Sequence, residues 1–314
     1  MLNKTNLQKD IEQKEFYSAI KYPGPRSTLT YLWAKRIEKY FKKDDKFVFL
    51  DAGCGAGNDV CAILSIYKNS KAFGVDQSNE SLKILKNRAK KMNVSERLNC
   101  INQSYLEEFD IKEKADISFA IGTIGHSSNP DLALKNILKN TKKNGYVALM
   151  LYSDQGTYEK NKLISALNLL NPDSPDEFLN YIYSYEKKYP KFLHQSLFKT
   201  LLNLRNFISH YIRRFIMHKS YGYLESLPKD TLYKDTYITK IEKSFSFEEL
   251  LSLVENNNLE IIDFFSHGKI DINKIPNKWR SKWKNLNMIN KAKISSLINP
   301  NPTSWSIIAK RINF

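Results

Sequence analysis

Phe47-Val48-Phe49-Leu50-Asp51-Ala52-Gly53-Cys54-Gly55-Ala56-Gly57 is an apolar run that ends in an acid and three alternate glycines. Four apolar residues in a row, two of them aromatic and one β-branched, read as a strand buried on both faces. The glycines that follow mark a strand-to-helix turn in which backbone can approach a ligand more closely than any Cβ would allow. Nineteen residues beyond Gly57 a second apolar run, Ala72–Val75, ends in Asp76. An acid there sits at the carboxyl end of the next strand, where it can accept both hydroxyls of a ribose.

Outward from this pair the pattern keeps alternating. A helix follows Gly57, another spans Glu80–Met92, and short apolar runs lie at Leu98–Ile101, Ile117–Ile121 and Tyr146–Leu151, with a helix over Leu132–Thr141. Strands alternating with amphipathic helices predict βαβ units and a mainly parallel sheet. Residues 1–45 have helical periodicity, broken at Tyr22-Pro23-Gly24-Pro25, and predict an N-terminal helical cap. Residues 46–152 form the alternating core, and 153–244 are long, helical and aromatic-rich, which predicts an inserted lid. Residues 245–314 return to the core: Ser246 with Glu248 and Glu249 starts a helix, Leu259–Phe265 reads as a sixth strand, and Trp305–Ala309 as a last one. A second insertion lies between them at 267–302.

Composition narrows the class of protein. The chain has 314 residues, 42% hydrophobic and 26% charged, which excludes overall disorder and is ample for a buried core. No run of about 18 apolar residues exists, and the N-terminus lacks the apolar stretch of a secretory signal, so an intracellular, cytoplasmic protein is expected. Cys54, Cys61 and Cys100 form no CxxC and read as reduced thiols. The net charge of +16 would suit an anionic partner, but the excess comes from 40 Lys against 9 Arg. Arg is the residue suited to bidentate phosphate recognition, so this excess is a weak sign of a nucleic-acid site. His194, His210, His218 and His267 lack metal-ligand spacing, and no metal is expected. GxSxG, P-loop and catalytic Cys/His patterns are absent, which sets aside hydrolase and NTPase readings.

The glycine pattern is DxGxGxG rather than the GxGxxG of dinucleotide sites, and an acid just ahead of the glycines would repel a pyrophosphate while facing a cationic ligand. The segment Asp51–Gly57 closely resembles motif I of the class I S-adenosylmethionine (AdoMet)-dependent methyltransferases, and Asp76 resembles their motif II acid. The resemblance covers roughly 47–152, with fold-level agreement through 246–311. It implies a Rossmann-like, doubly wound α/β sheet of seven strands, mainly parallel, with AdoMet as cofactor and S-adenosylhomocysteine (AdoHcy) as product. It also implies that Asp51, Gly53, Gly55 and Gly57 wrap the methionine portion, Asp76 the ribose, and Gln77, Ser104 and Tyr105 the adenine neighbourhood. Ser104 stands where the family usually has an acid. Gly122-Thr123-Ile124-Gly125-His126 is similar to the family's segment beneath the methionine part of the cofactor.

Residues outside the core sheet are the candidates for the methyl acceptor, because ligands bind beyond the carboxyl ends of the strands. Tyr17, Tyr22 and Arg26 lie in or beside the Tyr22–Arg26 turn, and Tyr152 ends the fifth strand. Lys234-Asp235-Thr236-Tyr237 through Glu242 forms a polar approach to the last helix, with Tyr237 as a binding candidate and acids able to engage an amine. His126 is either a general base or a packed loop histidine. Residues 190–224 carry Lys191, Lys199, Arg205, Arg213, Arg214 and Lys219 without an acid, on a helical apolar stripe that is either lid core or a basic surface. The favoured acceptor is a small molecule carrying O, N or S. The alternatives are an RNA methyltransferase using the basic lid and a non-catalytic scaffold that keeps the fold.

Overall fold

The structure is a computed structural model that describes residues 5–24, 29–170, 229–265, 275–298 and 304–312, with the isolated positions 174, 177 and 180. Seven strands form one sheet: β1 Val48–Ala52, β2 Lys71–Asp76, β3 Leu98–Asn102, β4 Ala115–Ile121, β5 Thr141–Tyr152, β6 Leu259–Phe264 and β7 Ser304–Arg311. Their order is β3-β2-β1-β4-β5-β7-β6, all parallel except β7, which runs antiparallel to both β5 and β6. The fold is therefore the mainly parallel sheet that the alternation predicted, doubly wound and seven-stranded as the resemblance implied. Strand order reverses beside β1, between β1 and β4, and a crevice at the carboxyl ends of the strands is the physical consequence.

Side-chain alternation divides the core between the two faces of the sheet. Val48, Leu50 and Ala52 of β1 join Val147, Leu149, Trp305 and Ile307 on one face. Phe49 joins Trp33, Phe119, Ala148 and Ile308 on the other. Because successive residues point to opposite faces, a strand covered on both sides must be apolar throughout, which is why β1 shows no apolar-polar alternation.

Helices flank the sheet: α1 Asn6–Ile20, α2 Leu32–Arg36, α3 Asn58–Ile66, α4 Asn79–Lys91, α5 Pro130–Lys139, α6 Asp154–Leu170, α7 Lys229–Tyr237, α8 Phe247–Asn256, α9 Asn277–Asn285 and α10 Met288–Ile298. Their starts follow from local chemistry. The Ser78 side chain accepts the Ser81 N–H at the head of α4, and the Asn129 side chain accepts the Leu132 N–H ahead of Pro130 in α5. Ser246 and Glu249 form a reciprocal capping box at α8, as the serine followed by acids anticipated.

Two details differ from the sequence reading. Helix α5 begins and ends earlier than 132–141, because the Asn129-Pro130 cap sets its first turn. β5 begins at Thr141 rather than Tyr146: Thr141 pairs with Ala115, and the register shifts before Tyr146 pairs with Ile117. Asn144 takes φ +60° within this irregularity. Of the expected lid, α6 and α7 are described, and the basic stretch 190–224 lies outside the described residues.

The described part of the 153–244 segment returns to the sheet through 241–245. Phe245 donates its N–H to the Tyr152 carbonyl (2.9 Å) and its own carbonyl accepts the Asp154 N–H (3.1 Å) and the buried Trp305 indole (2.7 Å). The Lys243 N–H reaches the Gly125 carbonyl at 2.8 Å. Helix α7 is thus carried to the ends of β4 and β5, where the crevice opens.

Candidate functional site

At the end of β1 the chain turns through Gly53 (φ +76°), Gly55 (φ +51°) and Gly57 (φ +74°). The Gly53 N–H donates to the Val75 carbonyl at 2.7 Å and the Gly55 N–H to Asp76 Oδ2 at 2.8 Å. Asp76 Oδ1 accepts the Ser78 N–H, also at 2.8 Å. A Cβ on Gly53 would stand 2.5 Å from Thr123 Cγ2, and one on Gly55 would stand 2.9 Å from the Tyr22 carbonyl oxygen. Left-handed backbone and close neighbours together make these two positions intolerant of a side chain.

A cavity of about 370 Å³ opens over this loop. Asp51, Gly53, Gly55, Asp76 and Gln77 form its floor beside Tyr105 and Gly122. Tyr17, Tyr22, His126, Tyr152 and Asp235 line it as well, Tyr22 with its carbonyl against Gly55. The structure thus brings together, around one space, eleven of the residues selected from sequence, with Asp235 as a twelfth from the polar approach.

Three of the selected residues stand apart, and a fourth is not among the described residues. Gly57 heads α3 behind the cavity wall, where its missing Cβ leaves room for Leu85, whose Cδ1 would lie 2.1 Å away. Ser104 is turned to its own backbone, its hydroxyl accepting the Leu106 N–H at 3.2 Å, and it does not line the cavity. Tyr237 is likewise outside the wall, which takes Asp235 from the same helix. Arg26 lies outside the described residues.

Other wall residues were not singled out from sequence. Asn58 and Asp59 occupy the first turn of α3 and follow directly from the glycine loop, so their place could have been inferred. Thr30, Leu32 and Trp33 arrive from the N-terminal segment, and Ile121 and Met150 from the ends of β4 and β5. Thr123 stands beside Gly53, and its hydroxyl is buried with no hydrogen-bond partner among the described residues.

Electrostatically the cavity is acidic. Asp51, Asp59, Asp76 and Asp235 line it, and no Lys or Arg does so among the described residues. Burial raises all four carboxyls above the ordinary range. For Asp51 the neighbouring charges of Asp59 and Asp76 add to the effect. Asp59 is pushed up to about 6 by burial, held back by the Thr30 hydroxyl that it accepts at 2.7 Å and by the charge of Arg36. For Asp76 the two backbone N–H donors oppose the effect of burial. Such a space favours a ligand that carries positive charge.

Along the cavity wall a chain of rings in edge contact runs Tyr22, Tyr17, His126, Tyr152, with centroids 5.9, 5.8 and 5.6 Å apart. His126 Nδ1 lies 2.9 Å from the Ile241 carbonyl oxygen. A carbonyl only accepts, so Nδ1 carries hydrogen and Nε2 is the nitrogen left to take up a proton. The Tyr17 hydroxyl donates to Asp235 Oδ1 at 2.8 Å, and burial with that nearby carboxylate raises the phenol well above its usual range. Helix α1 holds these groups in place by polar contacts: Asp10 accepts the Ser128 N–H (3.0 Å), and buried Gln13 bonds Thr239, Lys240 and Ile241. Among the described residues no group of His, Cys, Asp and Glu is placed to hold a metal. No described helix is long and apolar enough to cross a membrane.

Comparison with known proteins adds the following. A family model described as a methyltransferase domain matches residues 43–196. The chain is 30% identical over 169 residues to the ribosomal RNA small subunit methyltransferase G of Prochlorococcus marinus, covering 53% of this chain and 66% of that protein. It is 28% identical over 176 residues to the release factor glutamine methyltransferase of Buchnera aphidicola, covering 49% of this chain and 63% of that protein. The match therefore spans just under two thirds of each relative's length. Among solved structures, PKMT2 from Rickettsia typhi superposes with a TM-score of 0.63 at 17% identity, over 95% of this chain and 53% of that one. The same protein in complex with AdoHcy superposes with a TM-score of 0.62 at 16% identity, over 96% of this chain and 54% of that one.

Proposed function

We propose that this chain, whose residues 43–196 match a methyltransferase domain, is a class I AdoMet-dependent methyltransferase that transfers a methyl group from AdoMet to a small-molecule acceptor. The observation that carries this reading is the cavity at the strand ends, lined by four aspartates and by no described Lys or Arg. When bound, AdoMet supplies a methyl group on a positively charged sulfur.

The residues present fit that cofactor. A sulfonium and an ammonium are both stabilised by buried carboxylates, which in turn regain the compensation that burial removed. Asp76, already fixed by two backbone N–H groups, retains lone pairs for ribose hydroxyls. Asp51, Gly53 and Gly55 would hold the methionine portion, with Gln77 and Tyr105 on the adenine side. The orphaned Thr123 hydroxyl offers one further polar partner to a bound molecule. Tyr105 donates its own hydroxyl to the Thr123 carbonyl at 2.9 Å, which fixes the two walls against each other.

The acceptor would occupy the ring-lined end. There Tyr17, His126, Tyr152 and Asp235 orient it, and α1 with α7 limits access of water. Such positioning and exclusion supply much of the acceleration of a direct displacement. An acid-lined wall is a poor host for a phosphate backbone, which supports a small acceptor over RNA. The relatives' ribosomal RNA and release-factor substrates make those two acceptors the proper controls.

The test is calorimetric titration with AdoHcy, followed by transfer from methyl-tritiated AdoMet to a low-molecular-weight extract, to ribosomal RNA and to protein. Micromolar AdoHcy binding with label in the small-molecule fraction is expected. Label confined to RNA or protein would replace the acceptor class, and a folded protein that binds no AdoHcy would remove the activity altogether.

A further inference from the structure

We propose that the acceptor is an amine, received as its ammonium by Asp235 within the wall formed by Tyr17, Tyr22 and Tyr152, and methylated on nitrogen. The proposal rests on the methyltransferase reading and names the substrate class of the same site.

Asp235 is 6% exposed, and lines the cavity from α7. One of its oxygens takes the Tyr17 hydroxyl, and the other has no donor among the described residues. A buried carboxylate with a single neutral donor is poorly compensated. Two basic groups act on Asp235: His126, the stronger, shares the cavity wall with it, and Lys160 is ion-paired with Glu242 and lies against the Tyr152 ring at 5.4 Å, outside the cavity lining. Glu242 opposes what Lys160 supplies, so with a neutral His126 the space in front of Asp235 is electronegative. An ammonium would complete this arrangement, since it donates to the open oxygen and is attracted to the faces of tyrosine rings. A carboxylate or phosphate acceptor would meet repulsion, and an alcohol would leave the charge uncompensated.

An ammonium has no lone pair and must lose a proton first. His126, pinned through Nδ1 to Ile241, takes that proton on Nε2. The free amine pair then forms the new N–C bond to the methyl carbon as the C–S bond breaks and its electrons remain on sulfur. The products are an N-methylated ammonium and neutral AdoHcy, and His126 returns its proton to solvent. Asp235 balances positive charge at the acceptor end throughout.

The experiment uses the full chain, with AdoHcy titration run first as the control for fold and cofactor site. Methyl-tritiated AdoMet is then offered with butylamine, phenethylamine, L-lysine and a lysine-containing peptide, each beside its N-acetylated form and the corresponding alcohol. Label on free amines alone is expected, and the peptide arm separates a protein side chain from a small amine. Asp235→Asn should lower kcat/KM by roughly a hundredfold, the scale for removing a buried partner of a charge, while AdoHcy affinity stays within about twofold. Asp235→Glu, which keeps the charge, should recover part of the rate. Label on alcohols or carboxylates, no label on any amine by protein that binds AdoHcy, or a wild-type rate in Asp235→Asn would each overturn the amine assignment. Failure to bind AdoHcy would overturn the methyltransferase reading, and the assignment with it.

Discussion

Asp76 Oδ2 accepts the Gly55 N–H at 2.8 Å, so the acid that ends β2 fixes the glycine loop that leaves β1. The same carboxylate holds the Ser78 N–H ahead of α4, and one side chain therefore sets the geometry of two loops. Asp76→Ala removes both bonds as well as the proposed ribose contact. A hydrogen bond to a charged group contributes about 1.5–3 kcal/mol, so AdoHcy affinity should fall at least tenfold, and loss of the proposed ribose contact deepens the fall. Calorimetry on Asp76→Ala, with circular dichroism to show that the sheet persists, checks this. Undiminished binding would remove Asp76 from the cofactor site.

Gly55 gives a second test of the loop. Its φ of +51° and the Tyr22 carbonyl 2.9 Å from a built Cβ mean that Gly55→Ala must shift either the loop or the Tyr22-Pro23 segment. The left-handed conformation alone costs roughly 1–2 kcal/mol in an L-residue. A melting temperature lowered by a few degrees is expected together with weakened AdoHcy binding, since Tyr22 and Gly55 both line the cavity.

Acidity in the cavity gives opposite effects on folding and on binding. Asp59 sits at about 6 in the folded protein against an ordinary 3.8, so the folded state binds its proton more tightly than the unfolded chain does. Its contribution to the stability of the ligand-free protein is therefore most favourable at low pH and is lost as pH rises from about 4 to about 6, with no further change above. Cofactor binding runs the other way, because a cation needs the ionised acids. Titrations near pH 5 and near pH 7.5 at equal ionic strength should show AdoMet affinity rising with pH, and AdoHcy, which lacks the sulfonium charge, rising less. Asp51→Asn should raise the melting temperature of the ligand-free protein while weakening AdoMet binding. A variant that loses both would mean that Asp51 serves the fold instead.

The parts of this site legible in the sequence are those made by short-range geometry. Asp51 through Gly57 and Asp76 could be read because a strand, a glycine turn and the next strand's terminal acid occupy fixed places relative to one another in a βαβ unit. Gly57 shows the limit of that reading: its spacing matches the motif, but its role is to admit Leu85 behind the wall. Thr30 and Trp33 had no local signal, since only packing of the N-terminal segment over the sheet carries them to the cavity. The choice of Asp235 over Tyr237 depends on the rotation of α7, which the Tyr17 bond to Asp235 records and sequence does not. Strand order was equally hidden at the far edge, where β7 inserts between β5 and β6.

Gln13 carries the last prediction, because it is a polar residue 1% exposed on an otherwise half-exposed helix. Its Oε1 accepts the N–H groups of Lys240 (2.9 Å) and Ile241 (3.0 Å), while its Nε2 donates to Thr239 Oγ1 (3.0 Å) and the Ile241 carbonyl (3.1 Å). That carbonyl is also the one that orients His126, so α1, the 239–241 segment and the histidine share one acceptor. Gln13→Ala strips these bonds and leaves part-buried backbone groups unpaired, at less than the roughly 1–3 kcal/mol each of a fully buried group because water can reach them. Gln13→Glu keeps the acceptor for Lys240 and Ile241 but loses the donor and brings a carboxylate against the Ile241 carbonyl. Hydrogen exchange at Lys240 and Ile241 should therefore quicken strongly in Gln13→Ala and less in Gln13→Glu, with AdoHcy affinity little changed in both. If turnover is then measured, both variants should lower kcat more than they raise the cofactor KM, because the group they loosen is the histidine and not the glycine loop. Exchange unchanged from wild type in Gln13→Ala would show that the 239–241 segment is held by other contacts and that α1 merely rests on it.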